Sequence, residues 1–151
     1  MKKFSFPLNP LLKLRQNQRE LCQQLLADVL RHDEELLSRR RQTEAERLTQ
    51  IDELRALGAA DRDVDVDASS ARRFYAGQLS GDLGAIDGQR TLLAGQIDLC
   101  RQALMRADQA VKSLERLAER QEHEFVVHEE RREARALEET WQAIESLKHA
   151  P

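Results

Sequence analysis

The chain has 151 residues, of which 34% are charged and only 4% are aromatic, and its net charge is −3. A length of this order suits one ordinary domain, but so few aromatic residues among so many charges exclude a large layered core. The near balance of charges also excludes a strong overall attraction to nucleic acid or to anionic lipid. No apolar run approaches the roughly 20 residues that a membrane-spanning helix needs.

The first predicted elements are an irregular arm over residues 1–9 and a long helix over residues 10–57. Asn9 can cap the helix, and Pro10 is favoured at the first helical position. Gly58 follows the last apolar residue of the pattern, as is typical of a helix end. The apolar residues of this helix recur at steps of mostly three, four or seven and are expected to face a partner: Leu11, Leu14, Leu21, Leu25, Val29, Leu36, Leu48, Ile51 and Leu54.

Residues 58–69 are predicted to form a loop, because this aspartate-rich segment has no helical stripe. Ser69 or Ser70 can then cap a second helix over residues 70–148. Glycines interrupt the first part of that helix at spacings that follow its repeat: Gly77, Gly81, Gly84, Gly88 and Gly95. Either they soften the helix near the loop, or they form a smooth groove that another backbone can approach closely.

The second helix carries the longest regular pattern in the sequence. Steps of four and three residues select Leu79, Leu83, Ile86, Arg90, Leu93, Ile97, Cys100, Leu104, Ala107, Val111, Leu114, Ala118, Gln121, Phe125, His128 and Arg132. All but Arg90, Gln121, His128 and Arg132 are apolar. A stripe that repeats roughly every 3.5 residues is typical of a coiled-coil seam, so this helix requires a partner helix.

Two long helices joined by a short loop are expected to fold back on each other. With the tip between Leu57 and Ser70, facing residues have numbers that sum to about 128. This register opposes apolar residues along its length: Leu48 to Leu79, Leu36 to Leu92 or Leu93, Val29 to Leu99 or Cys100, and Leu14 to Leu114. The predicted fold is all-α, a single long two-helix antiparallel coiled-coil hairpin in which helix 2 overhangs helix 1.

The overhang begins near Ala118, beyond which the second helix has no partner except the N-terminal arm. It still carries apolar residues: Phe125, Val126, Leu137, Trp141, Ile144 and Leu147. An unpaired helix with such a face is either a docking element or a disordered tail. We expect docking, because Trp and Phe are enriched where proteins bind one another.

No pattern predicts catalysis, a cofactor or a metal site. His123 and His128 are five residues apart, so they lie about 140° apart around a helix and cannot share a metal ion. His128 is instead expected at a polar position of the seam. Cys22 and Cys100 do not face each other in the predicted register, so no disulfide is expected. The basic residues 39–41 lie among acidic residues, which favours a solvated helix face over a nucleic-acid contact.

Phe74 and Tyr75 stand one turn into the second helix, beside the loop. They either close the end of the hairpin against Leu54 and Leu57 or present an exposed recognition patch at the tip. One ring can also serve each purpose.

Two runs, one near each end of the chain, carry a family resemblance. Residues 4–15 read FSFPLNPLLKLR, an aromatic and basic arm that leads into a Leu-Leu-x-Leu-Arg helix start. Residues 111–120 read VKSLERLAER, and Phe125, Glu-Arg-Arg-Glu at 130–133 and Leu-Glu-Glu at 137–139 follow. Together these runs resemble the FliJ family of bacterial flagellar type III export proteins.

The resemblance implies a non-enzymatic component of flagellar protein export that is cytoplasmic and peripheral to the inner membrane at the flagellar base, with a role in flagellum biogenesis and chemotaxis. One end would enter a hexameric export ATPase as a central stalk. The other end would contact the export gate's membrane protein and help to recycle export chaperones. No cofactor, no nucleic acid, no direct membrane insertion and a monomer in isolation are expected.

Residues can be assigned to each end on this basis. The ATPase end would use Leu8, Leu11, Arg15, Arg120, Phe125, Arg131, Arg132 and Trp141. The tip that faces the export gate would use Phe74 and Tyr75.

Two other functions stay open from the sequence. One is a related stalk of an injectisome-type secretion system. The other is a dimerising coiled-coil scaffold, in which the stripe over residues 79–132 pairs between two chains rather than with the first helix. Sedimentation separates the scaffold from the hairpin, because a hairpin would be a monomer of 17.4 kDa with a high frictional ratio.

Overall fold

The computed structural model describes residues 2–59, 63 and 65–151. Helix α1 spans Asn9–Ala59 and helix α2 spans Val66–Lys148. The two helices pack against each other, and the part of the chain that is described contains no strand. The predicted all-α helical hairpin is therefore confirmed.

The segment between the helices is shorter than the predicted loop 58–69. Helix α1 continues through Gly58, whose φ is not positive, instead of ending there. Helix α2 begins ahead of Ser69 because Asp65 caps it: the Asp65 Oδ1 accepts hydrogen bonds from the backbone N–H groups of Asp67 (3.1 Å) and Ala68 (3.2 Å). The remaining loop positions 60–62 and 64 lie outside the described residues.

The packing divides the chain into two units, one of which is Leu21–Leu104. Its core joins Leu36 of α1 to Ile86 and Leu93 of α2, with Val29 packed against them. The other predicted seam residues of α2 in this unit are buried or half-buried, namely Leu79, Leu83, Arg90, Ile97, Cys100 and Leu104. The predicted α2 seam is confirmed here.

Ion pairs across the two helices fix their register in this unit. Asp33 pairs with Arg90 (3.0 Å), Arg40 with Asp87 (2.7 Å), and Glu53 with Arg72. The helices are antiparallel, since rising numbers on α1 meet falling numbers on α2. The numbers of the first two pairs sum to 123 and 127, close to the predicted register.

The covered face of α1 agrees only in part with the predicted one: Val29, Leu36, Ile51 and Leu54 are buried or half-buried as expected. Most of the buried and half-buried residues of α1 follow a stripe rich in polar groups: Leu12, Gln16, Arg19, Cys22, Leu26, Val29, Asp33, Leu36, Arg40, Thr43, Arg47, Gln50, Leu54 and Leu57. Leu37, Glu44 and Ile51 lie beside this stripe. The expected seam residues Leu11, Leu14, Leu21, Leu25 and Leu48 are exposed instead. The predicted oppositions of Leu48 to Leu79 and of Leu14 to Leu114 are therefore wrong.

The reason for this error is that α1 carries apolar residues on two adjacent stripes. Leu21, which is 64% exposed, and the half-buried Leu26 belong to different stripes, and both stripes repeat at heptad spacing. Asp33 and Arg40, which form ion pairs with α2, lie on the second stripe. Apolar periodicity by itself does not distinguish the two.

The second unit comprises the chain up to Glu20 together with Met105–Pro151. Val111 is fully buried, and Asp108 pairs with both Arg19 (3.3 Å) and Lys112 (2.8 Å). The arm ahead of α1 lies on α2, since the rings of Phe4 and Phe125 are 5.6 Å apart at an interplanar angle of 46°.

The stripe of α2 changes where the arm replaces a helical partner. Phe125 is half-buried as predicted, but His128 is exposed and Glu129 is buried. The prediction for His128 is therefore wrong: an extended arm does not impose the alternating three- and four-residue steps that a helical partner requires. From Glu130 to Pro151 every residue is exposed. The packed part of α2 therefore extends past Ala118, where the overhang was predicted to begin, and ends at Glu129.

Candidate functional site

The described residues offer surfaces rather than a reaction centre. Among them, no group of three or more His, Cys, Asp or Glu side chains is placed to hold a metal ion. Cys22 and Cys100 are free thiols and half-buried. No helix in the described part of the chain is long and apolar enough to cross a membrane.

The predicted ATPase-end residues all lie in the unit that contains both ends of the chain. We refer to these eight residues as the terminal surface. Leu8 is the last residue of the arm. Its carbonyl accepts a hydrogen bond from the Leu12 N–H (2.9 Å), with the spacing of four residues that is typical of an α-helix. Leu11 and Arg15 follow on α1, both exposed, and the Arg15 Nη1 donates to Gln18 (3.0 Å).

The α2 members of the terminal surface differ in how they are held. Arg120 and Arg131 are exposed. Arg132 lies 3.1 Å from the carboxylate of Glu129, so it is oriented by its own helix. No side-chain hydrogen bond or ion pair recorded for the described residues joins Leu8, Leu11 or Arg15 to these arginines.

Phe125 borders a cavity of about 190 Å³ between the arm and α2. Phe4, Phe125 and Val126 provide its apolar lining, while Glu122, Glu129 and Glu130 provide carboxylates. Lys2 also lines it. Phe4 and Glu129 were not among the predicted site residues, although Phe4 belongs to the aromatic arm. The sequence could have indicated Glu129, because it lies four residues after Phe125 and this spacing places both side chains on one helix face.

The uncovered end of α2 presents an apolar stripe. Leu137, Trp141, Ile144 and Leu147 recur at steps of four, three and three, and all are exposed, with Trp141 at 68%. Residues at these steps share one face of a helix. Charged neighbours such as Glu138 and Glu145 separate them along the sequence. The chain itself leaves this apolar stripe of α2 uncovered.

The predicted tip residues Phe74 and Tyr75 lie in the other unit and face different environments. Phe74 is 69% exposed. Tyr75 is half-buried, and its hydroxyl donates a hydrogen bond to the carboxylate of Glu46 on α1. That hydrogen bond, together with partial burial, raises the pKa of Tyr75 above its ordinary value. Tyr75 thus ties α2 to α1, while Phe74 points away from the pair.

A comparison with protein families identifies the chain. The model of the family described as Flagellar FliJ protein matches residues 4–144, which includes both predicted end runs and the whole region between them. The chain belongs to the FliJ family. The resemblance predicted from the sequence is confirmed, and membership of the FliJ family supports a role related to flagellar protein export. Searches of curated proteins and of solved structures give no match.

Proposed function

We propose that this protein binds the hexameric flagellar export ATPase as a central stalk, while its tip contacts the export gate's membrane protein and export chaperones. Membership of the FliJ family supports a role in export. One observation supports the stalk role: α2 continues from Glu130 to Lys148 with every residue exposed and with an apolar stripe that the chain itself leaves uncovered. Such a face on an unpaired helix is a surface for a protein partner.

The tip supports the second contact. Phe74 is a large exposed ring, whereas Tyr75 is held against α1 by Glu46. Phe74 is therefore the residue that meets the export gate, and Tyr75 positions the turn of helix that carries it. The protein acts in the cytoplasm and is peripheral to the inner membrane at the flagellar base.

Two exposed aromatic residues give a matched test of this division. Trp141 and Phe74 have nearly equal exposure, 68% and 69%, so replacement of either by Ala removes no core packing. We expect Trp141→Ala to weaken ATPase binding about tenfold or more, since buried Trp residues at interfaces often contribute over 2 kcal/mol. Phe74→Ala should leave ATPase binding unchanged and weaken binding to the gate protein. Titration calorimetry with each purified partner measures both.

Equal ATPase affinity for the Trp141→Ala variant, for a Leu137→Ala, Trp141→Ala double variant and for the unchanged protein would contradict the stalk assignment. Circular dichroism provides the control, because all variants should keep the same helix content.

The dimerising scaffold is less well supported than the stalk. The seam that would pair two chains already packs within one chain, where Leu36 contacts Ile86 and Leu93. We therefore propose a monomer in isolation. Sedimentation equilibrium should give a mass near 17.4 kDa, and a dimer would favour the scaffold.

A further inference from the structure

The cavity between the arm and α2 combines features that a cationic ligand requires. Three of its lining residues are glutamates and two are phenylalanines. The rings of Phe4 and Phe125 lie 5.6 Å apart and tilted, so they do not close the space by stacking face to face. A cation within about 6 Å of an aromatic face is attracted by the ring, and more strongly when it is desolvated.

Glu129 is the unusual member of this lining. It is 6% exposed, the only charged or polar residue that is buried among those the structure describes. Its Oε2 has no access to water and accepts no hydrogen bond. Arg132 Nη2 lies 3.1 Å from that oxygen, but the contact lacks hydrogen-bond geometry and the Arg132 side chain itself is mostly in solvent. A buried carboxylate is costly unless it is fully paired, so this site is incomplete.

We propose that this cavity binds an arginine side chain presented by a partner protein. The guanidinium would pair with the carboxylate of Glu129 and lie against the Phe4 and Phe125 rings. Arginine fits better than lysine, because a planar guanidinium stacks on aromatic faces and is more weakly hydrated than an ammonium group.

The size and access of the cavity agree with this ligand. A cavity of roughly 150 Å³ holds a benzene molecule, and a guanidinium is smaller than benzene, so about 190 Å³ accommodates it together with part of its aliphatic chain. The lining residues Glu122, Val126 and Glu130 are exposed, so the cavity is open to solvent.

The chain's own Lys2 does not already occupy the position. Lys2 lines the cavity, but it is exposed, and no ion pair recorded for the described residues joins it to Glu129. Even with Arg132 beside Glu129, two cations face three glutamates, so the cavity keeps an excess of negative charge for an incoming cation.

The inference rests on the proposed function only in one respect: Phe125 belongs both to the cavity and to the terminal surface. Arginine binding can be tested without the ATPase. The probe is N-acetyl-arginine amide, titrated into the full-length protein while the ring resonances of Phe4 and Phe125 are followed by NMR. N-acetyl-citrulline amide, which has nearly the same shape and no charge, is the matched control ligand. We expect saturable shifts of both rings with arginine and at least tenfold weaker binding of citrulline, because citrulline lacks the positive charge that the carboxylate of Glu129 and the two rings attract.

Two variants assign the effect to the cavity. Glu129→Gln should weaken arginine binding about tenfold, whereas Glu145→Gln on the uncovered end of α2 should not change it. Phe4→Leu should also weaken binding, since it removes a ring while keeping an apolar residue. Lys2→Gln should leave binding equal or stronger.

Equal binding of the arginine and citrulline probes, absence of ring shifts, or full binding by Glu129→Gln would overturn the proposal. Because the probe is a small molecule, a failure here leaves the ATPase experiment with Trp141→Ala unaffected. If the protein binds the arginine probe but does not bind the ATPase, the arginine site would be supported and the proposed stalk role would be wrong.

Discussion

Glu129 is expected to lower the stability of the folded protein and to favour binding of a cationic ligand. Its carboxylate is buried beside apolar side chains, and the nearby Arg132 satisfies it incompletely. A buried charge that lacks full pairing costs free energy, and an apolar residue in its place removes that cost. Residues kept at a cost in stability are frequently those that function requires.

We therefore expect Glu129→Leu to stabilise the protein by about 1 kcal/mol while it removes arginine binding. The neighbouring Glu130→Leu is the control, because Glu130 is exposed and its replacement relieves no buried charge. Thermal unfolding followed by circular dichroism measures both. A loss of stability in the Glu129→Leu variant would show that the carboxylate holds the arm in place and is not poised for a ligand.

Asp87 makes the stability of the hairpin depend on pH. Its hydrogen bond from Arg40, at 2.7 Å, lowers the pKa of Asp87 below the ordinary value of 3.8. A carboxylate whose pKa is lower in the folded protein contributes stability at pH values above its unfolded pKa. That contribution is lost as the pH falls through the lower folded pKa.

The Asp87→Asn variant should thus melt at a lower temperature than the unchanged protein at pH 7, and the difference should shrink as the pH falls from 4 to 2. Melting temperatures measured across this range test the expectation. Asp98→Asn, at an exposed aspartate of the same helix, should show no such convergence. A difference for Asp87→Asn that is constant with pH would exclude the ion pair as its cause.

At the level of the elements, the sequence predicted α2 better than α1. The seam of α2 from Leu79 to Phe125 could be predicted because its apolar stripe is the strongest pattern on the helix. On α1, apolar residues lie on two adjacent stripes. The covered stripe contains Asp33 and Arg40, which form ion pairs with residues of α2 far away in sequence. Periodicity identifies an apolar face but does not reveal which charges meet across a helix pair.

Helix ends and the candidate site show a similar limit. The Asp65 cap was missed because Ser69 and Ser70 are equally good caps by residue type, and only the path of the chain selects among them. Glu129 was missed because its burial depends on the arm, which follows no helical repeat. By contrast, the exposed Trp141 could be predicted, since an apolar residue beyond the reach of the first helix must face solvent or a partner.

The glycines of α2 permit a test at this scale. A Cβ added at Gly81, Gly84 or Gly88 would meet nothing within 4 Å, and no glycine among the described residues has a positive φ. Replacement by Ala should therefore stabilise the helix by about 0.5–1 kcal/mol at each position. Chemical denaturation of the single and triple variants measures this gain.

The same variants distinguish the two interpretations of the glycine series. If the glycines only soften the helix, the triple Ala variant is more stable and binds its partners normally. If they form a groove for another backbone, the triple Ala variant is also more stable than the unchanged protein, but it binds one partner more weakly. Destabilisation by any single Ala would contradict the open space around these positions.

For the whole molecule, the two proposed roles fall on different units: one carries the exposed Phe74 ring, and the other carries the uncovered end of α2. Truncation after Glu129 should separate them. It removes only exposed residues, so the remaining chain should keep its helix content per residue and its contact with the gate protein, while ATPase binding is lost. Retained ATPase binding by the truncated chain would assign that contact to the arm and the first turns of α1.

The uncovered run from Glu130 to Lys148 is roughly 28 Å of helix without tertiary contacts. Most of the stability of a helix in a protein comes from tertiary packing, so this uncovered run is expected to open more often than the packed part of α2. Its backbone amides should exchange with deuterium far faster than those around Val111, which is fully buried. Binding of this run to a partner would slow that exchange. Deuterium exchange of the amides of residues 130–148 can therefore report whether the run is bound in an assembled export complex, with no attached probe.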